Sequence, residues 1–156
     1  MFWNIRGVRT SQVRLRKLIQ QFRPNIIALA EPFLLEDKIL SFLRRFSCES
    51  FLNNEAHGGK IWLMWNSNVS VHWLAGTNQF ISVKVEDNGT VYVLTIVYAK
   101  CNQFERKTLW EDLEANGHGN FPWVVCGDFN IIKVDTERRG GLPRPFAAME
   151  DFNTFI

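Results

Sequence analysis

Between Lys60 and Tyr98 the chain changes its hydrophobic period, and this stretch constrains the fold most. Lys60–Trp65, Val69–Ala75, Gln79–Glu86 and Val91–Tyr98 are short runs rich in β-branched and aromatic residues. Asn66-Ser67-Asn68, Gly76-Thr77-Asn78 and Asp87-Asn88-Gly89 separate them. All three are turn chemistry, and the last is a strong hairpin signal. Strands joined by turns this short pair antiparallel, because a parallel pair needs a crossover of a dozen residues or more. An all-helical fold is excluded, and the apolar face of such a sheet needs a second layer to cover it.

The flanks supply helices. Met1 to Ile5 reads as the tail of a strand. Ser11 is the expected N-cap of a helix whose apolar face is Leu15, Leu18, Ile19 and Phe22, and Pro24 closes it. Asn25 to Glu31 is a short apolar run of the kind found in strands buried on both faces. A second helix is expected from Leu35 to Phe46, with Ile39, Leu40, Leu43 and Phe46 inward. Beyond the antiparallel block, a helix from Phe104 to Ala115 stops at Asn116-Gly117. The strand Trp123 to Cys126 then runs into Gly127-Asp128-Phe129-Asn130. Lys133 to Pro145 is loop-like, and Phe146 to Ile156 begins another helix. The order predicts a mixed α/β (α+β) layered sandwich, with residues 1–156 forming a single domain.

Cys48, Cys101 and Cys126 form no CxxC pair, which argues against a zinc site and for a reducing compartment. No apolar stretch reaches the ~20 residues of a membrane span, and Arg6 and Arg9 interrupt any signal-like run. A soluble, intracellular protein without a membrane partner is expected, and no protein partner is inferable. The formal net charge of +2 neither requires nor excludes nucleic acid. The basic residues of the first 17 positions read most simply as a solvated helix face and loop.

Three strands end in polar residues that an apolar strand does not ordinarily choose: Asn4, Glu31, and Asp128 with Asn130. Ligand sites in layered α/β folds gather at strand ends. Carboxylates beside amides supply hard oxygen ligands for Mg²⁺, which polarises a phosphoryl oxygen and helps to generate a hydroxide nucleophile. Asp128 and Asn130, two residues apart, would share a face in extended chain. His57, His72 and His118 fall in turn, strand and loop settings and read as structural.

Trp3-Asn4-Ile5-Arg6-Gly7, Ile27-Ala28-Leu29-Ala30-Glu31, Val97-Tyr98-Ala99 and Gly127-Asp128-Phe129-Asn130 follow in an order that resembles the endonuclease/exonuclease/phosphatase (DNase I-like) superfamily. The segment from Arg106 to Leu113 looks like the endonuclease domain of plant non-LTR (LINE-type) retrotransposons. The resemblance implies a DNase I-like four-layer α/β/β/α sandwich and a Mg²⁺-dependent phosphodiester hydrolase, with Mn²⁺ as a substitute metal. It implies a DNA backbone as substrate and, for a retroelement enzyme, access to the nucleus. By the same resemblance Glu31 is the main metal ligand and Asn4 orients the site beside the metal. Tyr98 contacts the scissile phosphate, Asp128 activates water and Asn130 stabilises the phosphate.

Two departures stand out. Pro32-Phe33 follows Glu31 where retroelement enzymes usually show Thr-Lys. The superfamily also ends in a Ser-Asp-His-like segment, and no histidine follows Gly-Asp-Phe-Asn here. The sequence is therefore expected to hold the first half of a two-half fold and part of the second, and to be catalytically incomplete as it stands. Missing strands would leave sheet edges and apolar faces open. The alternatives are a non-catalytic retroelement-derived fragment, or a phosphodiesterase acting on a phosphoinositide or sphingolipid.

Overall fold

The computed structural model describes residues 1–34, 38–116 and 119–156, in two compact units. The first unit comprises Met1–Tyr98 and His118–Asp128, and the second Ala99–Gly117 and Phe129–Ile156.

The first unit holds both sheets. One contains β1 (Phe2–Asn4), β2 (Ile26–Ala30), β3 (Ser50–Asn53) and β4 (Ile61–Trp65), in the order β1-β2-β4-β3. The other contains β5 (Val69–Gly76), β6 (Phe80–Asp87), β7 (Thr90–Tyr98) and β8 (Trp123–Asp128), in sequential order. β1 pairs parallel with β2 and β7 parallel with β8, and every other pairing is antiparallel. The hairpin expected at Asp87-Asn88-Gly89 joins β6 to β7, with Asn88 at φ 49° and Gly89 at φ 81°. Positive φ at two successive central residues is the backbone an Asn-Gly pair supplies.

Side-chain alternation sorts each strand between two cores. Ile27 and Leu29 of β2, with Trp62 and Met64 of β4, face helix α1 (Val8–Phe22) and the short helix α2 (Ile39–Leu43). Ala28, Ile61 and Leu63 face the other way and meet Val69, Ile81, Val83, Val85, Leu94 and Ile96 of the second sheet. The first sheet is thus covered by helices on one face and by a sheet on the other. This explains why β2 and β4 read as continuous apolar runs rather than alternating ones.

Several expectations need correction. β4 does not pair with β5 across Asn66-Ser67-Asn68; that turn passes the chain from one sheet to the other, and β4 instead lies between β2 and β3. Helix α1 begins at Val8, not after Ser11, with Gly7 as its N-cap at φ 102°. The Val8 amide donates to the Pro32 carbonyl, and the Ser11 hydroxyl donates to the Ile5 carbonyl instead of capping. Phe22 is exposed because α1 buries Val8 and Leu15 and leaves its last turn outside. In the second helix Phe42 takes the inward place expected of Leu40. Its described part runs from Ile39 to Leu43 and continues as a 3-10 turn over Arg44–Phe46. The expected start at Leu35 lies outside the described residues. Strand β3 was not expected; it is four residues long and gains its order by pairing with β4.

The second unit contains α3 (Gln103–Ala115), a 3-10 turn at Asp135–Glu137 and α4 (Phe146–Phe155). The Asn102 side chain caps α3 by accepting from the Phe104 amide at 2.8 Å. Trp110 packs against Phe129, Phe152 and Phe155, with ring centroids 5.1–6.2 Å apart. Among the described residues no helix is long and apolar enough to cross a membrane.

Candidate active site

Four of the five candidate site residues, Asn4, Glu31, Tyr98 and Asp128, belong to the first unit, and the pairing of the strands brings them together. Asn4 ends β1 and sits opposite Ala30, the last residue of β2, with Glu31 immediately following. Tyr98 ends β7 and sits opposite Asp128, the last residue of β8. Two side-chain hydrogen bonds then cross from sheet to sheet. Asn4 Nδ2 donates to Asp128 Oδ2 at 2.8 Å, and Tyr98 Oη donates to Glu31 Oε1. The cluster closes as a ring: Asn4 to Asp128 by hydrogen bond, Asp128 to Tyr98 by register, Tyr98 to Glu31 by hydrogen bond, and Glu31 back to Asn4 through Ala30, its chain neighbour and the register partner of Asn4.

The backbone at Glu31 is held in an unusual conformation. Its φ is 53°, a left-handed geometry that costs a non-glycine residue of order 1–3 kcal/mol and persists only where the surroundings enforce it. Here they do. The Glu31 amide donates to the Lys60 carbonyl at 3.0 Å, and the Glu31 carbonyl accepts from the Gly7 amide at 2.8 Å. Ile5 and Val8 donate to Ala30 and Pro32 on either side. The chain leaving β1 therefore runs beside the chain leaving β2 past the end of the sheet, and fixes the direction in which the carboxylate points.

One atom of the ring has no partner. Asn4 Oδ1 is buried and makes no hydrogen bond. An unpaired buried amide oxygen costs about 1–3 kcal/mol, so its retention calls for a ligand with a positive charge or a hydrogen-bond donor. Together Glu31, Asp128 and Asn4 Oδ1 present hard oxygen donors, a set suited to a divalent cation such as Mg²⁺. Among the described residues no group of three or more His, Cys, Asp or Glu gathers as a metal cage. Mg²⁺ does not need one, since it commonly takes one or two carboxylates and completes its shell with water and phosphate oxygens.

Asn130, the fifth residue, lies in the second unit. Its backbone is left-handed, at φ 52°, and its Nδ2 donates to the Ala99 carbonyl at 2.6 Å. Arg106 braces the same turn. It is 4% exposed, and its Nη1 donates to the carbonyls of Lys100 and Cys101 at 2.8 Å and of Asn130 at 3.4 Å. Burial draws its pKa below the ordinary arginine value. The sequence reading did not give Arg106 this role. The signal was present, for Arg106 occupies one position of the stripe completed by Leu109, Trp110 and Leu113, the buried face of α3.

The two described histidines do not belong to the ring. His57 stacks on Trp73 with centroids 6.2 Å apart, and His72 lies on β5 opposite Lys84. His118 lies outside the described residues.

A model of the Endonuclease/Exonuclease/phosphatase family matches residues 1–155. No curated protein sequence matches the chain. Among solved structures, the 3′-5′ exonuclease NExo from Neisseria meningitidis superposes with a TM-score of 0.62 at 16% identity, over 99% of this chain and 68% of that one. D. rerio TDP2, solved in complex with a single-strand DNA product, gives 0.56 at 16% identity, over 84% of this chain and 60% of that one. The human Nocturnin catalytic domain, solved with a bound sulfate anion, gives 0.52 at 22% identity, over 83% and 63%. At these identities the likeness is one of fold. The chain spans 60–68% of the length of these three structures.

Proposed function

The chain belongs to the Endonuclease/Exonuclease/phosphatase family, and from that premise we propose that it is a metal-dependent phosphodiester hydrolase domain whose substrate is a DNA backbone. The observation that carries this reading is the ring of Asn4, Glu31, Tyr98 and Asp128 across the two sheet ends, with its unpaired Asn4 Oδ1. Glu31 and Asn4 Oδ1 hold the cation, Mg²⁺ or Mn²⁺. When bound, it supplies charge to stabilise the phosphoryl oxygens as negative charge develops on them.

The remaining groups act on the reactants directly. Asp128 orients the attacking water and accepts its proton, and the Asn4 amide on Oδ2 fixes the rotation of that carboxylate. Tyr98 Oη donates to a non-bridging phosphate oxygen once substrate displaces its bond to Glu31. Asn130, on the turn that Arg106 braces in the second unit, takes its phosphate-stabilising role from the family resemblance alone. We favour DNA over a lipid phosphodiester on two grounds. The segment from Arg106 to Leu113 resembles plant LINE-type endonucleases, and TDP2 and NExo have each been solved with a DNA product. Phosphate contacts of this kind make affinity fall steeply with salt.

A second reading, binding without turnover, is favoured by the histidines. None follows position 118, and the described ones lie outside the ring. Among the described residues no imidazole belongs to the ring, where it could protonate the leaving oxygen.

Supercoiled-plasmid nicking with Mg²⁺, run beside calorimetric Mg²⁺ titration, separates the two. The first reading expects nicking that Asp128→Asn lowers by about 10²–10⁴, the range of a lost general base. The second expects Mg²⁺ binding that Glu31→Gln weakens, and no nicking. Nicking that survives Asp128→Asn unchanged would remove the role given to Asp128. Absence of both activities would end both readings.

A further inference from the structure

The residues that follow Glu31 line a cavity of about 380 Å³ in the first unit, toward the lower end of the ~300–1,000 Å³ usual for small-ligand sites. Trp62, 2% exposed, forms its buried lining, while Phe33 borders it at 58% exposed. Among the described residues, Arg9, Lys38 and Lys60 bring three cations to the lining and Glu55 one carboxylate. The Lys60 ammonium lies 5.7 Å from the centroid of the Phe33 ring.

The wall is built rather than loose. Asn54 is fully buried; its Nδ2 donates to the Thr77 carbonyl at 2.7 Å and its Oδ1 accepts from the Ile61 amide at 2.9 Å. Gly59 packs so closely on the Asn54 amide that a Cβ there would collide with it. The turn that presents Lys60 is thereby fixed. On the other side Phe33 is held at φ 52°, a strained conformation that keeps a large apolar ring at the surface. The cavity also adjoins the candidate site through the backbone. Phe33 is two residues from Glu31, at most ~7.6 Å between Cα atoms, and the Lys60 carbonyl receives the Glu31 amide.

We propose that this cavity is a subsite for one unpaired nucleobase, stacked on Phe33, with the adjoining phosphates held by Arg9, Lys38 and Lys60. The proposal rests on the reading of the neighbouring ring as a phosphodiester site. An exposed aromatic ring at a cavity whose described lining carries cations fits a ligand that is planar and apolar on its faces and anionic along its backbone. A base inside a duplex has its faces covered by its neighbours, so only a single-stranded or extruded base can offer one. The site therefore selects strand state, and it sets which nucleotide lies beside the phosphate that is cut.

The test compares a fluorescein-labelled oligothymidylate with an abasic strand of the same length, by anisotropy in EDTA so that no turnover occurs. The wild type should bind the base-bearing strand about tenfold more tightly, within the range of one aromatic–base stack. Phe33→Ala should abolish that preference and leave abasic affinity unchanged, while Phe33→Trp should keep it. Lys60→Met should weaken both strands alike. Equal wild-type affinity for the two strands, an equal loss on both in Phe33→Ala, or no binding of either overturns the subsite. Because binding is read without metal, the subsite can fail while the Asp128-dependent nicking of the hydrolase reading persists, and the reverse.

Discussion

The two parallel strand pairs, β1 with β2 and β7 with β8, are built alike and finished differently. Each is joined by a helix, α1 or α3, and each carries two polar side chains at its end: Asn4 with Glu31, the residue after its register partner Ala30, and Tyr98 opposite Asp128. At the first pair the chain leaves the sheet through left-handed residues, Arg6 at φ 45°, Gly7 at 102° and Glu31 at 53°, locked by backbone bonds. At the second it stays extended to the last residue, and the strands approach so closely at Gly127 that a Cβ would collide with the Val97 backbone. The first pair aims a carboxylate by bending backbone; the second places one by tight packing. Function at the first should therefore respond to hydrogen-bonding changes that hardly affect stability, and function at the second should be lost through stability.

The largest effect expected is that of Gly127→Ala. The added methyl meets backbone, which cannot yield as a side chain can, so destabilisation of about 3 kcal/mol or more is expected, at or beyond the usual cost of overpacking. A urea midpoint measures it, and a midpoint near that of the wild type would mean that β7 and β8 separate easily. Next comes Arg106→Ala, in the unit that carries Asn130. It leaves three carbonyls without their donor and should cost about 1–3 kcal/mol. Arg106→Lys should recover part of that stability, because an ammonium reaches fewer of the carbonyls at once.

The smallest change in stability should come from Asn4→Ala. The variant loses the bond to Asp128 but also loses the buried, unpaired Oδ1, so the metal-free protein should shift by less than about 1 kcal/mol. Its Mg²⁺ affinity should nonetheless fall about 10–100-fold, the usual result of removing a group that orients a metal site. A large loss of stability without a loss of Mg²⁺ affinity would make Asn4 a structural bridge and erase the contrast between the two pairs.

Much of the fold was legible along the chain. The strands β4 to β7, the buried strand β2 and helices α3 and α4 are written in hydrophobic period and turn residues, which act locally. That β4 pairs with β2 and β3 rather than β5, and that β8 is a half-exposed edge strand, is not written there. Strand β3 was not legible, because four residues with polar ends carry too little pattern; only β4 beside it makes Ser50–Asn53 a strand. The start of α1 was misplaced for a similar reason. Ser11 has the chemistry of a cap, but the Val8 amide finds its acceptor at Pro32, 24 residues away in sequence and next to β1 only in the folded chain.

The site divides along the same line. The sequence alone determined which residues stand at strand ends and that they are carboxylates and amides, since an apolar strand that stops on Asn, Glu or Asp is a local fact. Which of them meet was decided only by tertiary structure. The bonds from Asn4 to Asp128 and from Tyr98 to Glu31 span 124 and 67 residues and exist because two sheets pack with their strand ends together. The cavity at Phe33 is of the second kind as well. Its wall is assembled from Arg9, Phe33 and Lys60, three positions that no period or motif connects, and its shape follows from how buried Asn54 holds the turn before β4.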